Sequence, residues 1–254
     1  MKSLVLVTLL SIAPLITAGA QTCSKQSPAH KVALLELYTS EGCSSCPPAD
    51  EALRGLKKAA AADLVVPLAL HVDYWDYIGW TDRFATPGFS QRQRRLSERG
   101  NSRTVYTPEM FIDGQELRDW PDRLQAVIGE LARQAPRADI GIKLGKVSAG
   151  KLPIEVSAGS AVAAKLYVAL YENGLSSNVK AGENNGVVLR HDFVVRDWIG
   201  PLTLPTDGRK AAGVVNQMLT IPVGSQLPQL GVAVFVQTDS GEVLQALALP
   251  LCGY

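Results

Sequence analysis

The stretch "VALLELYTSEGCSSCPPADEALRGLKKAAA", residues 32–61, decides the fold of the first half of this chain. Its opening residues are apolar around a single charged one and predict a buried strand. Its last part places Leu53 and Leu56 on one face of a helix, with two lysines turned away. Between strand and helix lie Cys43 and Cys46, followed by two prolines that fit the first turn of a helix. The stretch therefore predicts a cysteine pair at a helix N-terminus.

Strand-like and helix-like segments continue to alternate as far as residue 135. Their order, β-α-β-α-β-β-α, predicts an α/β domain over residues 21–135. Asp113-Gly114 is a strong hairpin signal between two short strands, and Ser90 is the expected cap of the second helix. The predicted segments are a strand at 64–74, a hairpin at 108–117, and helices at 49–61, 86–100 and 120–134.

The pattern changes between Gln134 and Ala138. From there onward short alternating runs are separated by turns that contain Gly, Ser, Asn or Pro, and helix signals are few. Such spacing predicts an antiparallel β-sandwich over residues 138–254. The runs are ADIGIKL, KLPIEVS, KLYVALYE, VVLRHDFVV, QMLTIPV, GVAVFVQ and VLQALAL.

The first twenty residues predict a cleaved secretory signal peptide. Lys2 precedes an apolar run over 4–16, and residues 18–20 read Ala-Gly-Ala, the small-residue pattern at which signal peptidase cuts. The mature chain would begin near Gln21 and work in the periplasm or outside the cell. We expect no membrane anchor after cleavage, because no later stretch is long and apolar enough.

The charge of the mature chain is balanced. The full sequence carries 25 Lys and Arg against 24 Asp and Glu, and Lys2 is lost with the signal peptide. A neutral chain gives no electrostatic reason to expect nucleic acid or an anionic membrane as a partner. Gly-rich phosphate loops and hydrolase motifs are absent from the sequence, so nucleotide-binding and hydrolase functions are unsupported.

An oxidising compartment permits disulfides among the four cysteines. Three connectivities are possible. The simplest joins Cys43 to Cys46 in the turn and Cys23 to Cys252 near the two ends. Closing so long a loop would stabilise the fold by ~4–5 kcal/mol on the chain-entropy model.

The C-x-x-C pair can carry thiol–disulfide exchange without a dissociable cofactor. The thiolate is the attacking species, and free N–H groups at a helix N-terminus favour the negative sulfur. Cys43, further out on the turn, is the predicted nucleophile, and Cys46 would resolve the mixed disulfide. The intervening residues, Ser44 and Ser45, leave open whether the pair oxidises, reduces or isomerises its substrates.

Several blocks together resemble a family of bacterial secreted thioredoxin-like proteins catalogued as a domain of unknown function. The blocks are LLELYTSEGCSSCPPAD, LALHVDYWDYIGWTDRFATP, TVYTPEMFIDG, LYVALYENG and VLRHDFVVRDW. The resemblance implies a thioredoxin fold over the first half and carries a redox role to the matching Cys43, Cys46 and Pro108. It implies that Thr107-Pro108 is the site of a cis-proline that faces the disulfide and positions the substrate backbone. Protein thiols or disulfides would be the partners.

The resemblance also implies a buried acid in the first strand that shuttles a proton to the resolving thiol. Glu36 is the candidate, although it lies seven residues before Cys43, one more than is usual for such proteins. An extra residue in the loop between them would preserve the match. The other reading of Glu36 is a surface or capping residue.

Two other functions fit the same residues. Cys43 and Cys46, with or without His71, could hold copper or zinc, which would make the protein a metal carrier or sensor. Alternatively the disulfide could be structural, within a non-catalytic thioredoxin-like binding module. The segment "HVDYWDYIGWTD", residues 71–82, could line a groove beside the cysteines or simply cap the core.

Overall fold

The structure is a computed structural model that describes residues 23–102, 104–205 and 211–253. The predicted signal peptide and the expected mature start at Gln21 lie outside the described residues. Over that described part, four α-helices accompany fourteen strands. The architecture is therefore mostly β, with several sheets and few helices.

The helices are α1 Pro47–Arg54, α2 Lys57–Ala61, α3 Pro87–Arg99 and α4 Trp120–Leu131, with short 3-10 turns at Asp76–Ile78 and Leu227–Gln229. The strands are β1 Ser24–Gln26, β2 Ala33–Thr39, β3 Val65–His71, β4 Glu109–Ile112, β5 Gln115–Glu116, β6 Ala138–Leu144, β7 Lys151–Ser160, β8 Lys165–Glu172, β9 Leu175–Asn178, β10 Val188–His191, β11 Val194–Thr203, β12 Ala211–Thr220, β13 Leu230–Gln237 and β14 Val243–Pro250.

One eight-stranded sheet runs through both halves of the chain, in the order β14-β13-β8-β11-β3-β2-β4-β5. Strands β2 and β3 are parallel and fully buried, as a strand covered on both faces requires. The two halves meet where Val194 of β11 pairs in parallel with Ala69 of β3. The large sheet therefore contains strands from both sides of the boundary predicted at 134–138, where the sequence pattern changes.

A four-stranded sheet, β1-β6-β7-β12, packs against the strands of the second half in the large sheet. The two sheets share one apolar core, to which Ile142 and Val156 contribute from one side and Val168 and Val234 from the other. Strand β1 joins this small sheet by pairing with β6, although it lies in the predicted first domain. The thioredoxin-like fold predicted for residues 21–135 stays a prediction.

Both predicted disulfides are present: Cys23 is joined to Cys252, and Cys43 to Cys46. The first bridge holds the two ends of the described chain together. The described residues include no helix of the length and apolarity needed to cross a membrane.

Two helix predictions differ from the structure in detail. The helix expected over 49–61 is two helices, because α1 stops at Gly55 before α2 begins. The helix expected to be capped at Ser90 starts at Pro87, a favoured first residue because proline needs no N–H partner there. Ser90 lies inside α3, and its hydroxyl bonds the Asp73 carboxylate instead.

Candidate functional site

The C-x-x-C turn lies at the start of α1, where the sequence predicted it. Cys46 is the N-cap residue, and its carbonyl accepts the N–H groups of Ala49 and Asp50. Pro47 and Pro48 occupy the first turn, where backbone N–H groups have no acceptor within the helix, so proline costs no hydrogen bond there. Both cysteines are covered, with 1% exposure at Cys43 and 0% at Cys46.

The loop before β4 faces the first cysteine. The Thr107 carbonyl oxygen lies 3.7 Å from Cys43 Sγ, and the Thr107–Pro108 peptide bond is cis. Trp75 Nε1 donates to the Thr107 hydroxyl at 2.7 Å. The structure therefore brings together four of the predicted site residues: Cys43, Cys46, Thr107 and Pro108.

The aromatic segment over 71–82 packs directly on the C-x-x-C turn. A methyl group placed on Gly42 would meet Trp75 Cβ at 3.0 Å and Ile78 Cδ1 at 3.2 Å. Trp80 Nε1 donates to a Glu41 carboxylate oxygen at 2.8 Å. The segment is one wall of the site, and glycine at position 42 permits this close approach.

The second half of the chain supplies another wall. Strands β9 and β10 form an antiparallel hairpin, and the strap between them, residues 179–187, crosses the C-x-x-C turn. Asn184 Nδ2 donates to the carbonyl oxygens of Glu41 and Cys43 at 2.9 and 3.0 Å. One Glu183 carboxylate oxygen accepts the N–H and the hydroxyl of Ser44 at 2.9 and 2.7 Å. Sequence analysis missed these residues, because they lie about 140 positions from the cysteines and form no local motif.

A buried group of ionisable side chains lies behind the turn, and we call it the polar cluster: Glu41, Asp50, His71, Asp82 and His191. His71 Nδ1 is 2.6 Å from Asp82 Oδ2, and the two imidazole rings are 5.0 Å apart. His191 Nε2 is 3.3 Å from Glu41 Oε1, and its Nδ1 is 4.0 Å from Asp50 Oδ2.

Burial and neighbouring charges shift the pKa values of the polar cluster in different directions. Burial raises the pKa of Asp50, which favours its protonated form. Burial alone would lower the pKa of His71, but the Asp82 carboxylate outweighs that effect and raises it. Burial likewise opposes ionisation of Asp82 and Glu41, yet the neighbouring imidazoles hold the pKa of each below its usual value.

Asp50 is the member of the polar cluster that belongs to the cysteine helix. It lies four residues after Cys46, so both face the same side of α1. Thr39 at the end of β2 donates to its carboxylate at 3.3 Å. A carboxyl group with a raised pKa is thus placed one helical turn from the predicted resolving cysteine.

Glu36 is located differently from its predicted position beneath the cysteines. Both of its carboxylate oxygens bind Arg92 of α3, at 2.5 and 2.9 Å. Successive residues of a strand point to opposite faces, so Glu36 and Thr39 lie on opposite sides of the sheet. Because Thr39 contacts α1, Glu36 is turned away from the helix that carries the disulfide.

His71, the third residue of the metal alternative, gives one ring nitrogen to Asp82 within the polar cluster. No group of three or more Cys, His, Asp or Glu has a metal-binding arrangement among the residues that the structure describes.

Glu109 follows Pro108 and is buried beside the site. Burial raises its pKa from 4.5 to about 7, although hydrogen bonds from Gln93 and Ser97 oppose the rise. The folded protein therefore keeps this proton between about pH 4.5 and 7, where the unfolded chain has lost it. Protons bound only in the folded state make the free energy of unfolding fall as the pH rises through that window.

The free energy of unfolding of the wild type should fall as the pH rises from 5 to 8, because folded Glu109 loses its proton. Glu109→Gln has no such proton to lose, so we expect the difference in unfolding free energy to shift in favour of the variant. Urea unfolding at the two pH values measures the difference, and Glu98→Gln on the exposed side of α3 is the control. A stability difference between Glu109→Gln and wild type that is equal at both pH values would contradict the assignment.

Comparison with known proteins identifies a matching family whose description assigns no activity. A family model described as "Protein of unknown function (DUF1223)" matches residues 34–237. The chain is similar to the crystal structure of protein AGR_C_4864 from Agrobacterium tumefaciens, with 29% identity and a TM-score of 0.59. That match covers 89% of this chain and 97% of the other.

A second structure, a domain of the outer membrane lipoprotein Omp28 from Porphyromonas gingivalis, matches at 12% identity and a TM-score of 0.28. It covers 46% of this chain and 88% of that one. No curated protein matches the sequence.

Proposed function

The chain belongs to the DUF1223 family of proteins of unknown function, and on that premise we propose that it is a thiol–disulfide oxidoreductase acting on proteins. One observation carries the proposal: the Cys43–Cys46 disulfide starts α1, and the Thr107 carbonyl lies 3.7 Å from Cys43 Sγ. This juxtaposition places a reducible pair beside backbone that can bind a substrate strand. The pairing of β2 with β3 and β4 around it supports a thioredoxin-like arrangement.

The exchange proceeds through a mixed disulfide. A substrate thiolate attacks Cys43 Sγ, the Cys43–Cys46 bond breaks, and Cys46 leaves as a thiolate that takes up a proton. A second substrate thiolate then attacks the substrate sulfur of the mixed disulfide, and Cys43 leaves as the thiolate. Two electrons pass from the substrate dithiol to the protein, and the reverse sequence reduces a substrate disulfide.

The polar cluster is the proton source that we assign to Cys46, in place of Glu36. Asp50 lies on the same face of α1 as Cys46, and burial raises its pKa, which favours the protonated form that can donate. His191 and His71 lie behind it and offset the charge left when the proton moves. Glu36 is bound to Arg92 and has no such path.

We place the protein outside the cytoplasm. The Cys23–Cys252 disulfide joins the two ends of the described chain, and structural disulfides of this kind persist in oxidising compartments. The predicted signal peptide, residues 1–20, agrees with that placement.

Burial of both sulfurs favours a second candidate, the binding module with a structural disulfide. An attacking thiolate must reach Cys43 Sγ from the side opposite Cys46, and 1% exposure leaves no path while the walls stay in place. The two functions differ in one property. An exchange protein opens this site under mild conditions, whereas a structural bridge stays closed to thiols until the fold is lost.

A turnover assay decides between them. We expect the mature wild-type protein to accelerate the reduction of a model protein disulfide by a dithiol, and Cys43→Ser to show only the rate of the buffer. Circular dichroism confirms that the variant is folded. A wild-type rate equal to that of Cys43→Ser would leave the binding module as the better reading.

A further inference from the structure

The strap holds the C-x-x-C turn through the residue next to the nucleophile. Glu183 is exposed, yet its carboxylate takes both the backbone N–H and the hydroxyl of Ser44. Those two hydrogen bonds hold the pKa of Glu183 below its usual value, so the carboxylate is charged near neutral pH. A negative charge is therefore fixed one residue from Cys43.

Thiolates at helix N-termini are stabilised by free backbone N–H groups of the same turn. Here two donors of the turn are already engaged: Ser44 N–H binds Glu183, and Cys46 N–H binds the Cys43 carbonyl oxygen at 3.2 Å. Asn184 Nδ2 donates to that same carbonyl oxygen and so holds the strap against the C-x-x-C turn. The turn thus offers a Cys43 thiolate fewer donors and one close like charge.

We propose that Glu183 of the strap sets the redox potential of the Cys43–Cys46 pair by favouring the disulfide over the Cys43 thiolate. The inference rests on the proposed function and names a residue that decides its direction. Reduction by two glutathione thiols transfers two electrons to the pair and yields glutathione disulfide; the S–S bond breaks, Cys46 takes up a proton, and Cys43 Sγ remains as the thiolate. Glu183 repels that charge and withholds the Ser44 N–H, whereas it leaves the uncharged disulfide undisturbed. The pair becomes a weaker oxidant and a stronger reductant.

The variants Glu183→Gln and Glu183→Ala test the proposal in full-length mature protein. Gln removes the charge and keeps an acceptor, while Ala removes both. We expect the equilibrium constant for reduction by glutathione to rise about threefold for Gln and about tenfold for Ala, and tenfold corresponds to ~30 mV. Glu155→Gln, an exposed carboxylate on β7, is the matched control and should leave the constant unchanged.

Two further readouts separate this role from a purely structural one. The pKa of the Cys43 thiol, measured by alkylation rate against pH, should fall in both variants. The difference between wild type and Glu183→Gln should shrink at 1 M salt, because exposed charges are screened there.

The outcomes distinguish the inference from the function on which it rests. The wild type could cycle reversibly while both Glu183 variants show the wild-type equilibrium constant for reduction by glutathione. That result overturns the inference and leaves the proposed function standing. Equal acceleration of both directions, with an unchanged constant, makes the strap a steric gate and also overturns it. A wild type that does not cycle overturns both.

Discussion

Replacing Cys46 with serine should convert the protein into one that captures its substrates covalently. The Cys43 thiolate would attack a substrate disulfide and release one substrate thiolate, but no Cys46 sulfur would remain to resolve the mixed disulfide. Cys43 is assigned as the attacking residue because its Sγ faces the Thr107 carbonyl, whereas Cys46 is the N-cap of α1. Incubation with a model peptide that contains a disulfide, followed by alkylation of the free thiols and mass spectrometry without reductant, measures the adduct.

The reciprocal variant is the control for this experiment. Cys43→Ser should form no stable adduct, because the remaining Cys46 is the N-cap of α1 and the contact with the Thr107 carbonyl belongs to Cys43. Capture by Cys43→Ser alone would reverse the two roles. If neither variant formed an adduct, the pair would have no exchange activity towards peptides.

Removing Arg92 should destabilise the protein by about 3–5 kcal/mol, the usual cost of leaving one partner of a buried ion pair alone. Arg92 makes two bonds to Glu36 and a third to Gln237 of β13 at 3.2 Å. Its guanidinium also lies over the rings of Tyr167 and Phe235. In Arg92→Met the Glu36 carboxylate, fully buried, would have no cation, and urea unfolding measures the loss.

The double variant Glu36→Leu/Arg92→Met is the matched control. It removes both charges and keeps apolar volume, so its stability should return to within about 1 kcal/mol of the wild type. Its exchange rate should equal that of the wild type, because Glu36 lies on the face of the sheet away from α1. An exchange defect in this double variant, with stability intact, would restore Glu36 as a participant in proton transfer.

Local patterns predicted the elements well because periodicity is a property of short segments. The alternating run at residues 138–144 and the run at 165–172 coincide with strands β6 and β8. The hairpin at Asp113-Gly114 is present, with both residues at positive φ as a tight primed turn requires. The C-x-x-C turn before α1 follows from the same kind of local signal.

These local patterns do not predict which strands pair when they lie far apart in the sequence. Nothing in the sequence near β3 indicates that it pairs with β11, some 125 residues later, or that the strap crosses the cysteines. His191 and Asp192 are adjacent in sequence, and adjacent residues of a strand point to opposite faces. The structure does separate them, with His191 in the polar cluster and Asp192 bonded to Lys57. His191 was missed because its partners come from other elements.

The placement of Glu36 shows the limit of an argument from resemblance. A strand fixes which residues share a face but not which face carries the active helix. Its spacing from Cys43, one residue longer than usual, was the available sign of a difference. The acids that do lie near the cysteines, Glu41 and Asp50, flank the motif directly in sequence.

A redox titration of the mature protein in glutathione and dithiothreitol buffers tests the central claim most directly. Thiol alkylation and mass spectrometry count reduced Cys43 and Cys46 separately from Cys23 and Cys252. We expect a reversible two-electron transition of the C-x-x-C pair between about −120 and −270 mV, the span of known exchange proteins. A pair that stays oxidised to below about −300 mV would be a structural bridge, and the oxidoreductase proposal would be wrong.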